Sequence, residues 1–174
     1  MILKKINAVI SLLMTLLVVD HITACSIHLI THQTQLSSPT PARLLATLAI
    51  VHMGISLWIV FARHDAVAPK YYQKNQRTYQ QRIFGVLILA LLPYHVISSM
   101  TAAKGDISLA FLIVHVLFTV VVTGHVATSV PGALVSLGLL SSQKQHKIAL
   151  LISNIVCVLL LLLAVAGSIV GGME

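Results

Sequence analysis

Four histidines lie in apolar segments that are long enough to cross a membrane, one in each of the first four such segments. They are His21, His52, His95 and His125. An imidazole in hydrocarbon is unfavourable unless its ring nitrogens have partners. Pairs of histidines on neighbouring helices can hold a haem iron inside a helical bundle. The number and placement of these residues therefore indicate haem ligation within a membrane bundle.

The composition is typical of an integral membrane protein. Of the 174 residues, 57% are hydrophobic and only 9% are charged, and the mean hydropathy is +0.97. A water-soluble domain typically carries about 25% charged residues. This chain therefore has too little polar surface to be soluble, and we attribute its net charge of +7 to membrane sidedness rather than to nucleic-acid binding.

Five segments are predicted to span the membrane, since a span needs roughly 20 apolar residues. They cover about 6–30, 44–63, 83–101, 107–131 and 148–171 of one domain, residues 1–174. Lys4 and Lys5 precede the first segment, but no cleavage site follows, so we expect it to remain as a helix. At Pro131 the fourth helix is expected to kink, to end or to run on, because the apolar pattern resumes after it.

The positive charges are strongly biased to one side of these spans. Only Arg43 and Lys104 lie on the opposite side. The nine others are Lys4, Lys5, Arg63, Lys70, Lys74, Arg77, Arg82, Lys144 and Lys147. The positive-inside rule then places the N-terminus in the cytoplasm and the C-terminus outside. We therefore expect a multi-pass protein of a prokaryotic cytoplasmic membrane.

The longest polar stretch, at about 63–81, lies on this predicted cytoplasmic side and is expected to be a loop. It is basic and carries tyrosines at positions 71, 72 and 79. Two interpretations remain open for it. It is either an ordinary positive-inside loop or a docking surface for a cytoplasmic subunit.

The other histidines divide by depth. His28 and His115 lie at membrane depth, whereas His32, His64 and His146 are expected near the membrane surfaces. His21, His28 and His32 share one face of the first helix. His115 and His125 are ten residues apart and about 80° out of phase, so we expect only one of them to be a ligand. Depth estimates from the helical rise allow one or two haems and do not fix the pairing.

Other metal sites are less well matched by the residue types. A zinc or copper site would usually add carboxylates or thiolates close by. The spans offer only Asp20 and the separated Cys25 and Cys157, which form neither a CxxC nor a CxxCH motif. The sequence therefore excludes covalent c-type haem, and we expect both thiols to pack between helices.

Several motifs resemble a known family. Gln81-Arg82-Ile83-Phe84-Gly85, followed by His95, resembles the third helix of the single-subunit dihaem cytochrome b of succinate dehydrogenases and fumarate reductases. The segment 48–61 resembles the second helix of that family, and 7–21 resembles the first more loosely. The segment after its fourth ligand is matched by His125, Gly132, Leu134, Ser136, Leu137, Gly138, Ser141 and Gln143. The resemblance spans nearly the whole chain.

The resemblance implies an all-α membrane cytochrome b, with a four-helix haem-binding bundle and a fifth helix. His21 and His95 would hold a distal haem b near the outer face, and His52 and His125 a proximal haem b near the cytoplasm. Electrons would pass between an iron–sulfur subunit, docked with an FAD-containing flavoprotein on the cytoplasmic side, and menaquinone near the distal haem. The chain would transfer electrons and have no substrate-oxidising site of its own.

Three residues at membrane depth have open roles. His28 and His115 either contact haem propionates, line a quinone pocket or form hydrogen bonds in the core. Asp20, directly before the first predicted ligand, departs from what the family leads us to expect, and it orients a ligand, carries a proton or faces water. With His32 and Lys104, His28 and Asp20 are the ionisable candidates near the predicted quinone. No span contains a glutamate, so proton transfer through intramembrane glutamates is not expected.

Two alternative functions remain. A cytochrome b of another quinone-linked dehydrogenase would usually place two ligands on one face of one helix, and His115 and His125 are out of phase. A haem-free membrane anchor or small transporter is the other alternative. A transporter would more often show two similar halves or broken helices, and we find neither pattern in the sequence.

Overall fold

The computed structural model describes residues 2–31, 39–62, 72–102 and 108–171, and these residues form five α-helices. The helices are α1 (Ile2–Thr31), α2 (Pro39–Ala62), α3 (Tyr72–Ala102), α4 (Leu109–Ser136) and α5 (Gln143–Gly171). Each helix is long and apolar enough to cross a membrane. The prediction of an all-helical chain with five membrane-length helices is therefore confirmed for the described residues.

All five helices extend at one end or both beyond the apolar segments that predicted them, α3 by the most. α3 begins at Tyr72, so the prediction of a loop is wrong for residues 72–81. This stretch is rich in glutamine, lysine and arginine, which are good helix formers although they are polar. α4 continues through Pro131 to Ser136, five residues beyond the predicted end of the fourth span at 131.

Local hydrogen bonds define both ends of the connection between α4 and α5. Gly138 has a φ of 79°, and its N–H donates to the carbonyl of Val135, while the N–H of Leu139 donates to that of Leu134. This is the Schellman pattern that terminates helices at a left-handed residue. The side chains of Ser142 and Gln145 then bond each other's backbone N–H groups, which caps the start of α5.

Side-chain contacts between helices establish their directions. Asn7, near the start of α1, donates to Ser56, near the end of α2, over 3.3 Å. Phe84 in the first half of α3 lies against Gly124 in the second half of α4. Successive helices therefore alternate in direction. α1 and α5 run parallel, since Ser26 lies beside Gly167.

The first four helices form an open ring in the order α2, α1, α4, α3. Within the described residues the backbone of α1 contacts α2 and α4, and α4 also contacts α3. The backbones of α2 and α3 do not approach each other, and neither do those of the diagonal pairs α1/α3 and α2/α4. Helices in direct contact have axes about 8–10 Å apart. The diagonal helices are further apart than that, and the ring is open on the side between α2 and α3.

The tightest packing lies outside this ring, where α5 contacts α1 and α4. Every buried residue that the structure describes is on one of these three helices, and Ile22, Leu160 and Ala164 form a shared cluster. A Cβ at Gly167 would lie 3.0 Å from the carbonyl oxygen of Ser26. Small residues allow such close approach of helices in membranes. α5, which carries no predicted ligand, thus braces the two helices at the middle of the ring.

Candidate functional site

Three histidine rings from three helices lie together in the ring of helices. The ring centroids of His21 on α1 and His95 on α3 are 6.4 Å apart, and the ring planes are inclined at 82°. The centroids of His95 and His115 on α4 are 6.0 Å apart, with planes inclined at 26°. We call these residues the three-histidine cluster. It brings together one diagonal pair, α1 and α3, whose backbones do not touch.

Two phenylalanines of α4 pack against the cluster. The ring of Phe118 stacks on His95 with centroids 4.4 Å apart and planes inclined at 17°. Phe111 stacks on His115 at 5.7 Å and 27°. Such aromatic pairs are worth about 0.5–1.5 kcal/mol beyond the area that they bury. The phenylalanines therefore restrict the orientation of two of the three imidazoles.

Several nitrogens of the cluster lack partners. Nδ1 of His95 and both ring nitrogens of His115 are buried and have no hydrogen-bond partner among the described residues. His115 is only 6% exposed. An unpaired buried polar group costs about 1–3 kcal/mol. The cluster therefore has unused capacity to bind a ligand.

His52 on α2 and His125 on α4 form a second site on the other diagonal, and the two rings interact electrostatically. We call them the two-histidine pair. Nδ1 of His125 lies 3.1 Å from the carbonyl oxygen of Gln81. Because a carbonyl oxygen only accepts, Nδ1 carries the proton and the lone pair of a neutral ring is on Nε2. The ring of His52 lies close to the backbone of Asn7, and its Nδ1 has no hydrogen-bond partner in the described part of the chain.

α3 and α4 interlock beside this pair. A Cβ at Gly85 on α3 would lie 3.6 Å from Cε1 of His125, and a Cβ at Gly124 on α4 would lie only 2.8 Å from Cζ of Phe84. Each helix thus places a glycine opposite an aromatic ring of the other. This contact holds the imidazole of His125 within reach of the Gln81 carbonyl.

The interlock predicts opposite outcomes for two glycines of α4. We expect Gly124→Val to destabilise the protein by about 1–3 kcal/mol, because the added side chain overlaps the ring of Phe84. Gly132→Val is the matched control, since a Cβ at Gly132 meets no atom within 4 Å. The measurement is thermal unfolding of the purified proteins in detergent. Adding Phe84→Ala to Gly124→Val should restore part of the loss, and equal losses at the two glycines would contradict the interlock.

The remaining candidates of α1 lie at the edge of the cluster. Asp20 is exposed, and its charge interacts with His21 and Cys25. Sγ of Cys25 lies 3.9 Å from both ring nitrogens of His21. His28 is exposed in the last turn of α1. The structure therefore places Asp20 beside the cluster and His28 two turns further along the helix.

Near the start of α3, Arg77 makes a contact that the sequence did not suggest. Its Nη1 donates to Nε2 of His146 on α5 over 2.6 Å. Both residues are half-buried. The predicted positions that lie outside the described residues are His32, Arg63, His64, Lys70, Tyr71 and Lys104.

The sequence pointed to four candidate ligands but not to the residues that contact them. Gly124 and Asn7 were not singled out, and only the contacts of Phe84 and His52 reveal their importance. Several roles were left open for His115, and the structure places it against His95. An asparagine within a predicted span was the one available signal, because an amide in hydrocarbon needs a partner.

Comparison of the chain with protein-family models, with curated proteins and with solved structures finds no match. Among residues 2–31, 39–62, 72–102 and 108–171, no three histidine, cysteine, aspartate or glutamate side chains converge to hold a metal ion. The described residues instead place pairs of imidazoles on opposite helices of the ring. Two opposed imidazoles are the protein ligands of a six-coordinate haem, whose other four nitrogens come from the porphyrin.

Proposed function

We propose that this protein is the dihaem cytochrome b subunit that anchors a succinate dehydrogenase or fumarate reductase to the membrane. The observation that carries the proposal is the pairing of the four predicted ligands. His21 faces His95 across one diagonal of the helix ring, and His52 acts on His125 across the other. Histidines serving only as core residues would have no reason to match on diagonal helices.

The spacing of the rings fits a haem between them. Two imidazoles on opposite sides of one metal ion, each with a metal–nitrogen bond of about 2.0 Å, have ring centres roughly 6 Å apart. The observed separation of His21 and His95 is 6.4 Å. Nδ1 of His95 and Nδ1 of His52 are buried without partners among the described residues. The ring separation supports haem ligation by His21 and His95, and unpaired nitrogens support it at both sites.

The open side of the ring, between α2 and α3, supports the same proposal. A porphyrin is an extended flat ring, so helices that hold it on both faces cannot pack directly against each other. The diagonal helices do not touch in the described residues, and α2 and α3 also stay apart. The tight packing of α5 against α1 and α4 keeps the frame together despite this gap.

The chain's own residues would hold and tune the groups. Bound haem supplies one-electron transfer, and the protein sets its potential through ligands and surroundings. At the two-histidine pair, the Gln81 carbonyl fixes the tautomer of His125 and strengthens it as a ligand. At the three-histidine cluster, Phe118 holds the ring plane of His95.

The charge bias of the sequence supports an orientation for this electron path. With the N-terminus in the cytoplasm, the two-histidine pair lies on the cytoplasmic side and the three-histidine cluster lies nearer the outer face. An iron–sulfur subunit and an FAD-containing flavoprotein would then dock on the cytoplasmic side, and menaquinone would bind near the three-histidine cluster. Arg77 is already bonded to His146, so docking would depend on other basic residues. This arrangement belongs in the cytoplasmic membrane of a prokaryote.

The test is a dithionite-reduced minus oxidised spectrum of the purified protein, with the haem counted as its pyridine complex. We expect two b-type haems per chain, both six-coordinate and low-spin, because each has two imidazole ligands. A chain expressed with ample haem supply that stays colourless would overturn the proposal and favour a haem-free anchor. One haem per chain would mean that only one of the two proposed sites binds haem, and the histidine variants in the Discussion would identify which.

A further inference from the structure

We propose that α5 pairs in the membrane with α5 of a second copy of this chain, and that Asn154 holds the two copies together. The inference goes beyond the proposed function and does not require haem. It concerns the side of α5 that faces away from α1 and α4, the helices against which α5 packs. Hydrogen-bonding chemistry and depth in the membrane identify what covers this side.

Asn154 is a polar residue on the exposed side of an apolar helix. From Ile148 to Gly171, α5 has no charged residue. The side chains there that carry a hydroxyl, an amide or a thiol are Ser153, Asn154, Cys157 and Ser168. All of these except Asn154 are buried, and Asn154 is exposed. Its carboxamide makes no hydrogen bond with any residue that the structure describes.

The depth of Asn154 makes this exposure unfavourable in a lone chain. Asn154 follows Lys147 by seven residues, so it lies about 10 Å deeper along the helix. Lipid tails offer no hydrogen bonds, and the short side chain of asparagine cannot extend to water as that of lysine does. Amides in transmembrane helices therefore form hydrogen bonds across to another helix. The described helices do not supply that partner, which points to a helix of another chain.

A second copy of α5 supplies the partner by symmetry. All copies of a membrane protein insert with the same orientation, so two copies of α5 run parallel. A twofold axis along the membrane normal then brings each residue to the depth of its own counterpart, and Asn154 meets Asn154. A carboxamide contains both donors and an acceptor, so two of them can bond each other reciprocally. The amide is thus complementary to itself at the one position where it must be.

Large apolar side chains continue the same surface on both sides of Asn154. Leu151, Val158, Leu162 and Ile169 are each more than half exposed. With Asn154 they recur at spacings of three, four and seven residues, which places all five on one face of the helix. We call them the Asn154 stripe. In coiled coils, one asparagine within an apolar seam fixes the register and the number of helices, and the stripe has this pattern.

The experiment counts copies of the full-length chain in vesicles of phosphatidylcholine and phosphatidylglycerol. Each chain carries one fluorescent label at its N-terminus, and photobleaching steps give the dimer fraction over a series of protein-to-lipid ratios. We expect the wild type to dimerise. Asn154→Leu should raise the dissociation constant about tenfold, because hydrogen bonds between transmembrane helices contribute on that order. Asn154→Gln keeps the carboxamide and should retain most of the dimer.

Two controls separate the stripe from general effects on the fold. Leu159→Ala shortens an exposed side chain of α5 outside the stripe, and it should leave the dimer unchanged. Thermal unfolding in detergent should give the same midpoint for monomeric Asn154→Leu as for the monomeric wild type. The reason is that the carboxamide of Asn154 bonds no described residue of its own chain.

Three results would overturn the pairing of α5. The first is a wild type that stays monomeric at every ratio, which leaves Asn154 to lipid or to a different membrane subunit. The second is a dimer that Asn154→Leu does not weaken, and the third is a dimer that Leu159→Ala weakens as much as Asn154→Leu does. The number of haems per chain tests the proposed function separately, because Asn154 lies outside both histidine sites.

Discussion

His95→Ala is expected to remove the haem of the three-histidine cluster and to leave the other haem in place. His95 is the partner that His21 and His115 share, and its ring lies between theirs at 6.4 Å and 6.0 Å. The proposed ligand pair at this site does not survive its loss. The pyridine-haem assay should therefore fall from two haems per chain to one.

Tyr94→Ala is the matched control for this change, since Tyr94 is the neighbouring residue of α3 and is 56% exposed. It should retain both haems. Two full haem equivalents in His95→Ala would show that the cluster holds its haem without α3. Such a result would contradict the proposed haem site at the three-histidine cluster.

His125→Ala is expected to remove the haem of the two-histidine pair. His125 is the proposed α4 ligand of that site, and the Gln81 carbonyl orients its ring. His52→Ala should remove the same haem, because His52 is the proposed ligand on the opposite helix, α2, and acts electrostatically on His125. In the assembled complex, electron transfer from the iron–sulfur subunit to quinone should then be interrupted in both variants.

His146→Ala serves as the control for His125→Ala, because His146 bonds Arg77 at the start of α5 and lies outside both sites. It should keep two haems. Two full haem equivalents in His125→Ala would instead show that His125 is not a ligand. His115 would then be the candidate ligand on α4. The count of haems in these variants therefore tests the assignment of α4 directly.

Hydropathy in the sequence was sufficient to predict five membrane-length helices, whereas the assignment of four histidines as ligands stays a prediction. Hydropathy could not locate the start of α3 at Tyr72, because a polar helix has no apolar signal. Helical phase indicated that His115 and His125 cannot both face one cavity. The structure places them at two different sites along α4. Which helix lies beside which is a tertiary property, and neither the His95–His115 contact nor the Phe84–Gly124 contact follows from local pattern.

The sparse contacts of α2 bear on how such a protein matures in the cell. Among the described helices α2 touches α1 alone, and it carries no buried residue. A ligand that binds only the folded form stabilises it in proportion to its occupancy and affinity. Insertion of a cofactor between His52 and His125 would therefore be the step that secures α2, with the gap beside α3 as its lateral entrance. Chains that emerge from the ribosome faster than haem is supplied would be left with one loosely attached helix, which membrane proteases can recognise.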